Sequence, residues 1–92
     1  MAKLLIPTPL RKFTENQASL EVEAGNVEGS IQELATRFPE VKRHILDQDG
    51  KIRTFVRLYV GDEDINALNG PETAVEAGSV ISIIPAIAGG SN

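Results

Sequence analysis

Side chains that commonly perform catalysis are scarce in this 92-residue sequence. It has no cysteine and a single histidine, His44, which excludes thiolate nucleophiles, Cys-based zinc sites and a three-His metal site within one chain. His44 follows Arg43, and we expect it to be an exposed surface residue. The segment that begins at Asp62 resembles the start of an EF-hand loop, but Ala67 and Thr73 occupy the positions that require Gly and Glu. We therefore expect no metal site.

The chemistry that remains is that of the main chain. Glycine patterns that hold phosphates are absent, so the sequence predicts a protein that is not an enzyme. Gly89 and Gly90 lie near the C-terminus and are followed by Ser91 and Asn92. Because glycine lacks a Cβ, this pair can lie extended in a narrow channel and expose the acyl carbon of Gly90. The alternative is an ordinary frayed terminus.

Hydrophobic periodicity predicts the elements that position this tail. Strands are expected over residues 3–7 and 18–23, as a hairpin across a polar turn, and over residues 80–84. Val27, Ile31, Leu34 and Phe38 are spaced by 4, 3 and 4 residues and predict a helix that begins after Asn26. A weaker helical pattern follows Pro39. We predict one domain over residues 1–88 and a C-terminal tail over residues 89–92.

The segment 51–60 predicts a further strand with two unlike faces. Even-numbered residues from Ile52 to Val60, Thr54 among them, form the expected core face. Phe55, Arg57 and Tyr59 lie on the other face, where we predict an exposed surface that contacts a partner. The alternative is that a loop or the tail covers them. The resulting order of strand, strand, helix, strand, strand is typical of an α+β fold with one main helix on one face of a mixed sheet of four or five strands.

Charge and hydropathy limit the possible partners. The formal net charge is −4 and the isoelectric point is near 4.9, which argues against nucleic acid and favours a basic protein surface. The acidic segment 62–66 is expected to be a solvated loop or a docking patch for such a partner. No apolar run approaches the length that spans a bilayer. We expect a cytoplasmic monomer that has no membrane association.

The C-terminal segment 78–90 resembles the end of the MoaD/ThiS family of ubiquitin-like sulfur carriers. There, a glycine turn, an apolar strand, proline, a β-branched residue, a small residue and Gly-Gly follow in order, as they do here around Pro85 and Ile87. Residues 55–65, from Phe55 to Ile65, are especially similar to CysO-type carriers of cysteine biosynthesis. The resemblance implies a β-grasp fold with the last strand inserted beside the first. It makes Ile87 a further candidate for partner contact.

The resemblance also implies a mechanism and a set of partners. Family members present a C-terminal glycine, here Gly90, to an E1-like enzyme that uses ATP to adenylate it. Sulfur then replaces AMP to give a thiocarboxylate, which a cysteine synthase-like enzyme or the large subunit of molybdopterin synthase accepts. The carrier itself binds no cofactor. Ser91 and Asn92 depart from the family pattern, and we expect a zinc peptidase of the JAMM type to remove them.

Three alternatives to cysteine biosynthesis remain open from the sequence. The chain resembles the small subunit of molybdopterin synthase in the same way, and it resembles thiamine-pathway carriers less well. A ubiquitin-like interaction domain, or a protein modifier conjugated through Gly90, would use the fold without sulfur chemistry.

Overall fold

The computed structural model describes residues 1–53 and 55–85 and contains one mixed five-stranded sheet. The strands are β1 (Ala2–Leu5), β2 (Ser19–Val22), β3 (Val56–Val60), β4 (Glu63–Asp64) and β5 (Val80–Pro85). The helices are α1 (Val27–Arg37) and α2 (Pro39–Ile45), with short 3-10 helices at Thr8–Phe13, Ile65–Ala67 and Gly70–Glu72. In the described residues, no helix is long and apolar enough to cross a membrane.

The sheet order β2-β1-β5-β3-β4 confirms the predicted β-grasp. The last strand, β5, lies parallel to β1 and antiparallel to β3, and β2 and β4 pair antiparallel with β1 and β3 at the two edges. The register places Ile81 beside Leu4 and Ile83 beside Leu58. The final strand is therefore central in the sheet, and its C-terminal end is flanked by the end of β1 and the start of β3.

Helix α1 forms where the hydrophobic spacing predicted it. Its N-cap is Asn26, whose side-chain oxygen accepts a hydrogen bond of 2.7 Å from the Gly29 amide. Val27, Ile31 and Leu34 are buried against the sheet. Phe38, the fourth predicted member of the stripe, is the C-cap and is only partly buried, because Pro39 begins α2 directly after it.

The core is a continuous cluster between α1 and one face of the sheet. It includes Leu4, Val22, Leu58 and Ile81 from the strands, which alternate along the chain with more exposed residues on the opposite face. Thr14 is also fully buried, and its hydroxyl lies 3.2 Å and 3.1 Å from the carbonyl oxygens of Arg11 and Gln17. This contact holds the segment that joins β1 to β2.

Strand β3 is shorter than predicted and begins at Val56 rather than at residue 51. The preceding residues pair with the end of α2 instead of with β5: Ile52 bridges to Leu46, and the Arg53 amide donates to the Ile45 carbonyl at 2.8 Å. A turn from Arg53 to Val56 then starts the strand. Val56 and Leu58 are buried as predicted, whereas Ile52 and Val60 are partly buried. Thr54 lies outside the described residues.

Two connections predicted as irregular contain short elements. The polar turn expected over residues 11–17 overlaps the 3-10 helix Thr8–Phe13, which begins before it and buries Leu10. The connection after β3 contains β4 and two 3-10 helices, and it buries Ile65. Pro85 is the last residue of β5 rather than the residue beyond it. The predicted tail, residues 89–92, lies outside the described residues.

Candidate functional site

The candidate site is the end of the sheet at which β5 finishes. Pro85, its last residue, pairs with Val56, and Ile84 pairs with Arg57. On the other side, β1 runs parallel to β5, so its C-terminal residues lie at the same end. The last described residue, Pro85, therefore lies at the end of the sheet where β1 finishes and β3 starts. The predicted tail residues Ile87, Gly89, Gly90, Ser91 and Asn92 lie beyond this point and outside the described residues.

The face of the sheet opposite α1 is apolar beside this end of β5. Leu5, Phe55 and Ile84 are 38%, 44% and 48% exposed, and a group of exposed large hydrophobic side chains, unlike a single one, is typical of an interaction site. Arg57, paired with Ile84, is exposed, and Tyr59 is half-buried. We name these five residues, Leu5, Phe55, Arg57, Tyr59 and Ile84, the terminal patch.

The three partner-contact residues predicted around β3 all belong to this region. Phe55, just before the strand, and Arg57 are exposed as expected, whereas Tyr59, which was also expected to be exposed, is half-buried. The guanidinium of Arg57 lies 3.2 Å from a carboxylate oxygen of Asp64, whose other oxygen accepts a hydrogen bond from the Asn66 amide. The ion pair is largely exposed and contributes little stability. It does connect the predicted acidic segment to the patch, so Asp64 is not a free docking residue.

Sequence reasoning missed Leu5 and Ile84. Each follows a buried residue of the same type in an apolar run, Leu4-Leu5-Ile6 and Ile83-Ile84, so hydrophobicity alone does not separate them. Strand alternation could have done so, since Leu5 is out of phase with Leu4 and Ile84 with both Ile81 and Ile83. The signal was therefore two apolar residues at outward positions of neighbouring strands.

Among residues 1–53 and 55–85, catalytic or metal-binding side chains do not gather at this end. His44 is exposed as predicted, and its ring stacks on that of Phe13 with centroids 4.5 Å apart. Within the described part of the chain, no three His, Cys, Asp or Glu residues are grouped so that they could hold a metal ion. What the fold offers here is a central strand end beside an apolar and cationic surface.

Comparison with known proteins identifies the family. The ThiS family model matches residues 4–90, nearly the whole chain. This chain belongs to the ThiS family. The match ends at Gly90 and leaves Ser91 and Asn92 beyond it.

Individual relatives agree with this assignment. The sulfur carrier protein CysO of Mycobacterium tuberculosis is 34% identical over 87 residues, which cover 92% of this chain and 94% of that protein. A chain in the crystal structure of the Amycolatopsis orientalis BexX/CysO complex matches with a TM-score of 0.87 and 31% identity, over 97% of this chain and 99% of that chain.

A third similarity concerns the fold alone. The solution structure of the small archaeal modifier protein SAMP1 from Methanosarcina acetivorans matches with a TM-score of 0.87 but 19% identity, over 96% of this ThiS-family chain and 94% of that chain. The same β-grasp thus occurs in a protein described as a modifier.

Proposed function

We propose that this ThiS-family chain is a sulfur carrier whose reactive group is the C-terminal carboxylate of Gly90, exposed by removal of Ser91 and Asn92. The observation that supports this most directly is the family match over residues 4–90, which ends at the residue where the chemistry would occur. The 34% identity to CysO over most of both chains favours a role as a sulfur donor in cysteine biosynthesis.

The proposed reaction takes place on the partner enzymes. An E1-like enzyme binds ATP, the Gly90 carboxylate attacks its α-phosphorus, and pyrophosphate leaves. Sulfide then attacks the acyl carbon, AMP departs, and a thiocarboxylate remains at the chain end. The thiocarboxylate sulfur then attacks an electrophilic substrate held by an acceptor of the cysteine synthase class, and water cleaves the resulting acyl bond to release the sulfur product and restore the Gly90 carboxylate. The carrier supplies no catalytic side chain, in agreement with the absence of cysteine and of a second histidine.

Removal of Ser91 and Asn92 follows from the geometry that acyl transfer demands. With both residues in place, Gly90 is joined through an amide and has no carboxylate to adenylate. The free carboxylate would then be two residues further on, whereas reacting atoms must come within about 3–3.5 Å of each other. A zinc peptidase that cuts after Gly90 would create the reactive form.

Terminal-patch residues supply the docking surface in this proposal. Leu5, Phe55 and Ile84 would be buried by the activating enzyme beside the channel that receives the tail, and Ile87 would contact the channel entrance. Exposed aromatic and arginine side chains such as Phe55 and Arg57 are the types that dominate binding energy at interfaces.

The test compares two forms of the chain by intact-mass spectrometry. Both the full-length chain and a chain that ends at Gly90 are incubated with the E1-like enzyme of the same organism, ATP and sulfide. We expect the shorter chain alone to gain the mass of one oxygen-to-sulfur exchange. A thiocarboxylate at Asn92 of the full-length chain would refute the requirement for trimming.

Two further results would redirect the assignment. Absence of a thiocarboxylate on both forms would favour the interaction domain or modifier that shares this fold. If the thiocarboxylate forms, incubation with a cysteine synthase-like enzyme or with the large subunit of molybdopterin synthase, each supplied with its own electrophilic substrate, identifies the acceptor. Only the acceptor should consume the thiocarboxylate faster than it hydrolyses in buffer.

A further inference from the structure

Positive charge surrounds the point at which β5 ends. Arg11 and Lys12 lie in the 3-10 helix that follows β1, Arg43 lies in α2, and Arg53 precedes β3. Since β1 and β3 are the two neighbours of β5, these cations lie on both sides of the departing chain. We name Arg11, Lys12, Arg43 and Arg53 the basic arc.

Side-chain contacts make the basic arc a continuous surface. Arg53 donates from Nε to the Arg43 carbonyl at 3.0 Å, which joins the start of β3 to α2. On the other side of α2, His44 stacks on Phe13, and the Lys12 ammonium lies 5.2 Å from the centre of the Phe13 ring. The arc therefore runs from the end of β1, across α2, to the start of β3.

Both outer arginines are anchored in a way that leaves their terminal nitrogens available. Arg11 donates from Nε to the Ile6 carbonyl at 3.0 Å, as Arg53 does to Arg43. Among the described residues, neither arginine makes a further side-chain hydrogen bond or an ion pair. The ion pair found there joins Arg57 to Asp64. A guanidinium held at Nε keeps a planar pair of donors that fits a carboxylate.

Acidic residues that neighbour the arc in sequence form no ion pair with it. Glu15, Glu40 and Asp47 lie nearby in the chain, but none has a carboxylate oxygen within 4 Å of an arc cation. Asp47 instead accepts hydrogen bonds from the Asp49 and Lys51 amides.

The opposite end of the sheet is strongly acidic. There β2 ends, α1 begins, β3 turns into β4 and β5 begins, and these segments contain Glu21, Glu23, Glu28, Asp62, Glu63 and Glu76. The net charge of −4 is therefore unevenly distributed, with positive charge where the tail leaves. Such a separation orients a molecule in the field of a charged partner before contact.

We propose that the basic arc docks on an acidic surface that borders the entrance of the channel in the activating enzyme, and that it turns the carrier so that the tail enters first. This inference rests on the proposed function. The net charge of the whole chain predicted a basic partner surface, whereas the basic arc favours an acidic one at this end of the molecule. Nucleic acid is a poorer fit, because the acidic end of so small a domain would be repelled by a long polyanion.

The experiment measures association rates of the chain ending at Gly90 with the immobilised E1-like enzyme of the same organism. Arg11→Gln/Arg53→Gln removes two arc charges, and Lys3→Gln is a control that removes a charge from the opposite half of β1. Rates are compared at about 10 mM and about 150 mM salt, between which the screening length falls from about 30 Å to about 8 Å. Melting temperatures check that each variant is folded.

We expect the double variant to associate about tenfold more slowly at low salt and nearly as fast as wild type at high salt, with Lys3→Gln within twofold of wild type. Equal rates for the double variant and the control, or no binding of wild type, would overturn the docking proposal. A preference of the arc for a labelled DNA oligonucleotide over the enzyme would overturn it as well. Arc-dependent binding without pyrophosphate exchange or thiocarboxylate would leave the docking proposal standing and refute the sulfur-carrier function instead.

Discussion

Ile83 and Ile84 are identical neighbours on opposite faces of β5, and they allow stability and docking to be tested separately. Ile83 is 4% exposed and packs in the core, whereas Ile84 is 48% exposed in the terminal patch. We predict that Ile84→Ala weakens binding to the activating enzyme with little loss of stability. Ile83→Ala should do the reverse.

The magnitudes follow from the surface that each side chain exposes. Full burial of an isoleucine contributes about 1.5–3 kcal/mol, so covering the exposed half of Ile84 contributes about 0.7–1.5 kcal/mol. Its loss should raise Kd about 3- to 12-fold. Truncation of a fully packed isoleucine costs about 2–5 kcal/mol, a large share of the roughly 5–15 kcal/mol that stabilises a domain.

Urea unfolding and calorimetric titration with the enzyme measure both effects. The unfolding midpoint should fall strongly for Ile83→Ala and by the equivalent of about 1 kcal/mol or less for Ile84→Ala. Phe55→Ala, at another exposed patch residue, should resemble Ile84→Ala. An unchanged Kd for both patch variants would refute the terminal patch as the docking surface. Unfolding of Ile84→Ala would refute its assignment to the outer face.

Three further changes test the tail and the fold. Gly90→Ala in the trimmed chain should abolish ATP–pyrophosphate exchange, because a Cβ occupies space in the narrow channel, while the melting temperature stays constant. Thr14→Val should lower the free energy of unfolding by about 1–2 kcal/mol, since buried carbonyls lose their hydroxyl donor. Thr14→Ser keeps the hydroxyl and should retain most of the wild-type free energy of unfolding. Gly29→Ala should destabilise by about 1 kcal/mol despite better helix propensity, because its Cβ would lie 2.8 Å from that of Ala24. Gly25→Ala, with open space around it, is the matched control, and urea unfolding measures all of these variants.

The parts of the fold that the sequence predicted are those with a local physical cause. The spacing of Val27, Ile31 and Leu34 and the short polar side chain of Asn26 determine where α1 begins and which face it buries. Alternation along 56–60 likewise separates the buried residues Val56 and Leu58 from exposed Arg57. The central position of β5 came from the family resemblance, because pairing between the two ends of a chain leaves no mark on local periodicity.

The features that were missed depend on contacts between distant segments. Ile52 and Arg53 continue the alternating pattern of β3, yet their backbone pairs with the end of α2. The anchored guanidiniums of Arg11 and Arg53 have no sequence signature: the Nε of Arg53 is held by a carbonyl ten residues away in α2, and that of Arg11 by the Ile6 carbonyl where the chain leaves β1. For this reason the sequence indicated an acidic molecule and did not indicate its basic end.

The position of β5 explains how a small domain could support the proposed reactive chain end. Pairing with β1 fixes the backbone of β5 as far as Ser82 and pairing with β3 fixes it as far as Pro85, while Ile81 and Ile83 fix it from the core. A pull on the tail from an enzyme channel would have to break both ladders of backbone hydrogen bonds before β5 leaves the sheet. An edge strand is held by only one such ladder.

Strand β5 also presents Ile84 outward beside Arg57. Six residues of chain follow Ile84 up to Gly90, and they set the distance from the proposed docking surface to Gly90. A partner that docks on the terminal patch and the basic arc therefore determines how far into its channel the acyl carbon can reach. Insertion of one residue between Ile84 and Gly90 should for this reason impair adenylation more than it impairs binding.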